Sequence, residues 1–347
     1  MIKFLVYVAI ILAIFAIGYL VRVFELASSL KGNKPEEVTD NDNKFMSKVM
    51  LIALFALMAF TAWTLITYAP LMLPEAASEH GVEIDWLYRF NWAIIFLVFV
   101  LTQILLFYFA SKYYGRKGNV ATYIAHNNKI EMIWTVIPAI VLSIIIIFGL
   151  RAWNKITAPA SENAIVIQIY GKQFDWTARY AGVDNKLGDS NYKLITDENA
   201  LGMDSTSEAG FDDIIVKNEF HIPVNKEIEF KLNAREVIHS VYMPHFRAQM
   251  NCVPGMTTML HFTPIITTAE MRKKQYVINQ MADINSRREA RGENAKEEFN
   301  YILLCNKICG NSHYNMQMTI VVDTEEDYKK WLASKKPYFG KKIVTNK

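Results

Sequence analysis

The sequence predicts a membrane protein of mixed class, with four transmembrane helices followed by an extramembrane β-sandwich or barrel. Three observations lead there. Apolar residues make up 52% of the 347-residue chain, and they gather in roughly the first 150 positions, in runs of the ~20 residues that cross a bilayer. From about Ala160 the texture changes to short apolar or alternating segments punctuated by Pro and Gly, which reads as strands. Those strands follow one another without helices between them, the pattern of a sandwich or barrel.

The apolar runs are Phe4 to Val21, Val49 to Ala69, Phe90 to Ser111 and Met132 to Leu150. The first, just after MIK, has the look of a secretory signal and is expected instead to be a retained anchor. Between the third and fourth runs stand Lys112, Arg116, Lys117 and Lys129, with no acid before Glu131. Between the second and third stand Glu75, Glu79, Glu83 and Asp85 against Arg89 alone. The positive-inside tendency makes the basic loop cytoplasmic. An even number of spans then places both termini outside, together with everything after Leu150. Lys3 is a single charge against a loop of four. Gln103 reads as an amide bonded to a neighbouring helix, and Pro138 as a break that such neighbours tolerate. Asn128 and Glu131 stand three apart, as in a capping box.

Beyond the membrane, AIVIQIYG, KEIEFKLNA, MTTMLHFTP and MQMTIVV are the strand candidates. Two stretches look inserted among them. Residues 184–219 are acidic with scattered Gly and Ser, and read as a solvated loop. Residues 267–299 are charged on all sides and read as an exposed helix or helical hairpin. The expected organisation is an N-terminal extension over 1–89, a helical hairpin over 90–151, the β domain over 160–323 and a tail over 324–347. That tail reads as a short helix up to Pro337 and a basic end. The net charge of +3 makes no case for nucleic-acid binding. The three cysteines include no C-x-x-C-H run, so no c-type haem belongs to this chain. Cys252 reads as a small buried residue.

The chemistry lies in Cys305 to Met316, CNKICGNSHYNM. Two cysteines stand four apart, His313 follows four later and Met316 three after that. Thiolate, imidazole and thioether suit copper, and a weak axial Met marks electron-transfer copper sites. Two thiolates on one turn can bridge two metals if a second imidazole arrives, and His239 in EVIHSVYMP is its obvious source. A Cys/His zinc site and a disulfide remain open on spacing alone, although zinc rarely recruits Met and a disulfide leaves the histidine without use.

C-x3-C-G-x2-H-x2-M with an upstream V-I-H-S, together with HNNKIEMIWTVIPA and GKQFDW, resembles the copper-A subunit of haem-copper oxidases, cytochrome c oxidase subunit II. The resemblance covers roughly Asn91 to Val322. It implies a cupredoxin-like β domain and a binuclear copper centre. Cys305 and Cys309 would bridge, His239 and His313 would each take one metal, and Met316 and the Lys307 backbone carbonyl would be weak outer ligands. It also implies the function, electron entry for a terminal respiratory oxidase. The centre takes electrons from a c-type cytochrome and passes them to haem in the catalytic subunit I, where oxygen is reduced to water with proton pumping. The catalytic site itself lies in another chain. Subunit III is a further implied partner, and the two extra N-terminal helices suit contact with a larger respiratory assembly. The location implied is a bacterial-type cytoplasmic membrane, with the copper domain on the outer, periplasmic side. Glu131 would sit at the cytoplasmic mouth of a proton channel in the catalytic subunit.

Three positions depart from the family pattern. Phe174 replaces the Trp taken as the electron port, which shifts the expected entry to Trp176 or to a ligand edge. The donor is expected to dock near Trp176, aided by Asp204, Asp212 and Asp213. Asn251 replaces an acid before V-P-G. Lys307 replaces the glutamate whose side chain holds an interface magnesium or manganese ion, so this chain is not expected to supply that ligand. Two other readings use the same scaffold, the copper-A subunit of a nitric oxide reductase and a docking subunit of a quinol oxidase. The second lacks the copper ligands that are all present here.

Overall fold

The computed structural model describes residues 2–30, 38–293 and 296–340. The basic end after Gly340, the part 31–37 of the expected N-terminal extension and the side chain of Lys3 lie outside the described residues. Four helices are long and apolar enough to cross a membrane: α1 (Ile2–Leu30), α2 (Asp40–Tyr68), α3 (Glu79–Lys112) and α4 (Asn128–Thr157). They share two compact units, one drawn from Met1–Pro70 and Ile94–Lys129 and the other from Leu71–Ala93 and Ile130–Lys347.

In the first unit, α1 turns Leu12, Ile14 and Phe15 outward, as a helix does when its solvent is hydrocarbon. Thr39 starts α2 with a capping box: Asp42 N–H donates to Thr39 Oγ1 at 3.3 Å, and Thr39 N–H donates to Asp42 Oδ2 at 2.9 Å. Two of the orphan donors of a helix start are thereby satisfied. Ser47 of α2 donates to the Ser111 carbonyl of α3 at 2.9 Å, and both residues are buried. Small residues at that crossing let the helices approach closely.

In the second unit, α4 leads into ten strands arranged as two five-stranded sheets. The strands are β1 (Ile165–Lys172), β2 (Asp175–Tyr180), β3 (Ile214–Lys217), β4 (Glu219–Pro223), β5 (Ile228–Ala234), β6 (His239–Met243), β7 (Ala248–Cys252), β8 (Thr258–Phe262), β9 (Tyr301–Cys305) and β10 (Gln317–Asp323). One sheet runs β3-β2-β1-β5-β8 and the other β4-β10-β9-β6-β7. The β1–β5 and β4–β10 pairs are parallel; the other ladder pairs are antiparallel. Strand β5 alternates buried and half-buried along its whole length, as the two-residue period demands of a strand with one covered face. Ile167, Ile169, Trp176, Phe220, Phe230, Val241, Leu303 and Ile320 close the core between the sheets.

Strand β1 does not alternate. Its six inner residues are all buried, because the insertion after β2 covers its outer face. Leu201 and Met203 pack there against Tyr170. Arg179, which is 1% exposed, makes an ion pair with Asp213, which is 0% exposed. The guanidinium also donates to Gln168 Oε1 at 3.2 Å and to the Gly188 carbonyl at 2.6 Å. A buried pair of this kind needs its remaining polar groups satisfied. The acidic stretch expected to be a solvated loop is therefore a packed lobe, anchored from beneath.

The connector before α3 also belongs to the β unit. Ala77 N–H donates to the His245 carbonyl at 2.7 Å, and Ile265 N–H donates to the Ala77 carbonyl at 2.9 Å. Ser78 is fully buried, and its hydroxyl donates to the Phe246 carbonyl at 2.7 Å. Arg247, in a left-handed backbone conformation with φ 52°, forks onto the Asp85 carboxylate at 2.7 and 2.9 Å. The expected boundary at residue 89 falls inside α3, whose first turns join this clamp.

The second insertion holds helices α5 (Thr268–Arg272) and α6 (Gln275–Glu289). Met271 and Val277 sink into the core while Arg288 pairs with Glu293 and Glu297 on the outside. The final helix α7 (Glu325–Ala333) lays Trp331 on His221, with ring centroids 4.1 Å apart.

Candidate metal centre

Two strands and one loop bring the predicted ligands together. His239 opens β6 and is completely buried. Cys305 closes β9, and β6 and β9 are paired with Val241 opposite Cys305. The loop from Asn306 then returns to β10, carrying Cys309, His313 and Met316. Its ends are tied to the strands. Asn306 N–H donates to the Ser240 carbonyl at 3.0 Å, and Cys305 N–H donates to the Met316 carbonyl at 3.1 Å.

The two thiol sulfurs stand 3.9 Å apart, far beyond the ~2.05 Å of a disulfide, and all three cysteines are free. The disulfide reading of the spacing is thereby excluded. His239 Nδ1 lies 3.8 Å from Cys305 Sγ, and His313 Nδ1 lies 3.6 Å from Cys309 Sγ. Each sulfur thus faces one imidazole. Each also has a weak donor beside it: the Lys307 carbonyl oxygen is 3.2 Å from Cys305 Sγ, and Met316 Sδ is 3.7 Å from Cys309 Sγ. The ligand atoms of His239, Cys305 and Cys309 all fall within 4.8 Å of one another.

The Cys309 thiol holds its proton against a metal, while the His239 imidazole does not. Burial, and then the adjacent Cys305 sulfur, push the Cys309 thiol up to about 11. Burial also holds His239 below its ordinary value, leaving it the neutral imidazole a metal requires. Its Nε2 is buried without a hydrogen-bond partner, so the ring is oriented through Nδ1 toward the sulfurs. Two crowded thiols, two imidazoles and a thioether make a donor set for a soft or borderline metal that displaces the thiol protons. The residues fit copper.

The remaining predicted residues fall in different places. Lys307 points its side chain outward and is exposed, and among the described residues it has no ion pair. Phe174 is half-buried beside Gly310. Trp176 is completely buried, with its ring 5.8 Å from that of His239 and its indole N–H 3.4 Å from the Met316 carbonyl. It cannot touch a docking partner, which corrects the expectation of a docking face at that residue. Asp213 is corrected likewise, because its charge is spent on Arg179 beneath the lobe. Asp204 is half-buried, and Asp212 accepts from the Val183 N–H at 2.6 Å. Glu131 lies in the first turn of α4, and Asn251 in β7. Sequence reasoning passed over Gln173, although it stands inside the quoted GKQFDW run. Its side-chain amide donates to the Cys309 carbonyl.

Comparison with known proteins bears on the family. The family model for the cytochrome c oxidase subunit II transmembrane domain matches residues 66–152, and that for the periplasmic domain matches residues 165–270. The second match ends before the cysteine loop, so the ligand set rests on the geometry above. The alternative cytochrome c oxidase subunit 2 of Bradyrhizobium diazoefficiens is 30% identical over 246 residues, covering 70% of this chain and 77% of that protein. The cytochrome c oxidase subunit 2 of Cereibacter sphaeroides is 24% identical over 271 residues, covering 74% and 77%. A crystal structure of the periplasmic domain of subunit II from Bradyrhizobium japonicum overlays 51% of this chain and 94% of that one, at 20% identity and a TM-score of 0.31; the assignment does not rest on that overlay. Apolar helices followed by a cupredoxin-like sandwich, matched by both family models and by a relative of this coverage, place the chain in the cytochrome c oxidase subunit II family.

Proposed function

We propose that this chain is the electron-entry subunit of a terminal respiratory oxidase, holding a binuclear copper centre on the outer side of a bacterial-type cytoplasmic membrane. One observation carries the reading. Two free thiol sulfurs 3.9 Å apart each face their own imidazole Nδ1 and their own weak axial donor. A mononuclear site would leave half of that set idle. When bound, a copper pair bridged by two thiolates takes up and gives out one electron with its charge spread over both metals and both sulfurs.

The chain's own residues do the rest. Cys305 and Cys309, as thiolates, and His239 and His313, through Nδ1, would hold the copper pair. Met316 Sδ and the Lys307 carbonyl would be the weak outer ligands. Strands β6 and β9 hold His239 and Cys305 in a hydrogen-bonded ladder, so the ligands rearrange little as the electron passes. Trp176 and Phe174 lie on the route between the centre and the surface, with Phe174 the outer of the two. The donor is a c-type cytochrome docking over Phe174, and the acceptor is haem in the catalytic subunit, beside which subunit III completes the complex. The two added helices α1 and α2 suit contact with a larger respiratory assembly. Glu131 serves the cytoplasmic mouth of the partner's proton channel.

Lys307 gives the reading a local test. Its side chain leaves the metal loop toward solvent in the isolated chain. In the complex its ammonium replaces the interface divalent ion, pairing with carboxylates of the partner or with haem propionates, because a buried unpaired charge costs several kcal/mol. Metal analysis of the complex that finds stoichiometric magnesium or manganese beside residue 307 refutes this substitution.

The main test is Cys305→Ser in the purified complex. Two coppers per wild-type chain with a near-infrared mixed-valence band are expected; the variant loses band and electron entry while the partner keeps its haem. One copper per chain, or zinc in its place, ends the reading. Turnover with oxygen against nitric oxide separates the oxidase from a reductase using the same site.

A further inference from the structure

The β1–β2 hairpin supplies no ligand, yet it touches three of them. A Cβ added at Gly171 would come 3.1 Å from His239 Cδ2. Trp176 packs on the same imidazole and aims its indole N–H at the Met316 carbonyl, 3.4 Å away. Gln173 reaches Cys309: its side-chain amide donates to the Cys309 carbonyl. Its own backbone N–H is in turn held by Glu236 Oε1 at 2.9 Å. The next residue of the loop, Gly310, has φ 142°, and a Cβ there would fall 2.7 Å from the Phe174 ring and 2.9 Å from Gln173 Nε2. A glycine is what lets the hairpin approach the peptide so closely.

The ligands differ in how their backbones are held. His239 and Cys305 sit in strands, and Met316 adjoins β10 with its carbonyl bonded to Cys305 N–H at 3.1 Å. Cys309 has no strand. It lies in the irregular loop, four residues past the end of β9.

On the copper reading above, we propose that Gln173 is a positioning residue for the metal centre. Its amide fixes the peptide after Cys309 and so fixes the direction from which the Cys309 sulfur approaches the metals. Glu236 holds Gln173 in turn, so the chain of contacts runs from Glu236 through Gln173 to the bridging thiolate. The hairpin that carries the aromatic residues of the electron route is thereby pinned to a ligand of the centre by the same side chain.

The test compares Gln173→Glu and Gln173→Met with the unaltered chain in the intact solubilised complex. The first keeps the shape and sets a carboxylate against the carbonyl; the second keeps the length and donates nothing. Outer-sphere changes at metal sites cost ten- to a hundredfold in affinity. Both variants are expected to fold, to hold two coppers as purified, to change the copper hyperfine pattern in electron paramagnetic resonance, and to lose copper to a chelator about tenfold faster. Unchanged spectra and unchanged release in both variants overturn the proposal. So does failure of both to fold, since Gln173 would then serve the domain rather than the ligand. An unaltered chain that holds no copper pair refutes the reading of the site itself, and that outcome is separate from any difference among the variants.

Discussion

The cysteine loop and the acidic lobe are both irregular chain held against one domain, and they are held by opposite means. In the loop 306–316 the connecting residues are left outside: Ile308 is 86% exposed and Tyr314 is 87% exposed, while Cys309 is 4% and Met316 1% exposed. The two buried side chains of the loop, Cys309 and Met316, are both ones that can grip a metal. The lobe between β2 and β3 turns inward an ion pair, Arg179–Asp213, and a small apolar cluster around Leu201 and Met203. The loop turns donors inward that a metal could join, and the lobe's Asp213 meets its counter-ion, Arg179, on β2. Irregular backbone becomes precise when a few strong directional contacts replace the ladder it lacks.

On the proposed copper reading, stripping the metal is the most severe way to break this comparison. Amide exchange is expected to rise throughout residues 306–316 and to stay unchanged around Arg179 and Asp213; equal loss of protection in both segments would show that they are one cooperative unit. Reloading should weaken as pH falls below the value of about 11 to which Cys309 is raised, since binding must displace the thiol proton, by about tenfold per pH unit for each proton released. Copper uptake that is flat between about pH 6 and 8 would mean that the thiols are already ionised.

Breaking the lobe's anchor is the next largest change. Arg179→Met and Asp213→Leu alone should each destabilise the chain by about 3–5 kcal/mol, because each strands a buried charge. The double variant should cost less than either single one, since the charges then leave together. Chemical denaturation of the four chains measures this cycle, and additive single costs would contradict it. The copper spectrum should persist in all of them up to unfolding. The smallest effect is expected at the loop's outer residues. Ile308→Ala should leave copper content intact and shift stability by no more than about 0.5 kcal/mol, as exposed positions do; copper loss there would mean that the outer residues also support the ligands.

The four spans and the ligand set were legible because each writes a local pattern: a run of apolar residues, or Cys, Cys, His and Met at fixed steps. Other features leave less trace. Trp176 was readable by parity, since it shares a strand face with Ala178 and Tyr180, both buried, and the motif drew attention away from that face. The lobe was hidden because Leu201, Met203 and Asp213 are isolated apolar and acidic residues in a polar stretch, and nothing local shows that Arg179 lies beneath them. Gln173 acts through its amide on a backbone carbonyl 136 residues away, a contact that no spacing encodes. The connector was the hardest to see. Ala77 and Ser78 join the β domain mainly through main-chain hydrogen bonds, which any residue can make.

That connector has a topological consequence. The strip around Ala77 and Ser78 is bonded directly to the segments around Phe246 and Ile265, so it lies on the same side of the bilayer as the β domain. Helices α3 and α4 are all that stands between the strip and the domain's first strand. They must then cross as a returning pair, whatever the charges of the loop between them. A polypeptide in which only one of the two helices crossed would part the Ser78 hydroxyl from the Phe246 carbonyl and Arg247 from Asp85. The fold of the β domain thereby checks that both helices have crossed.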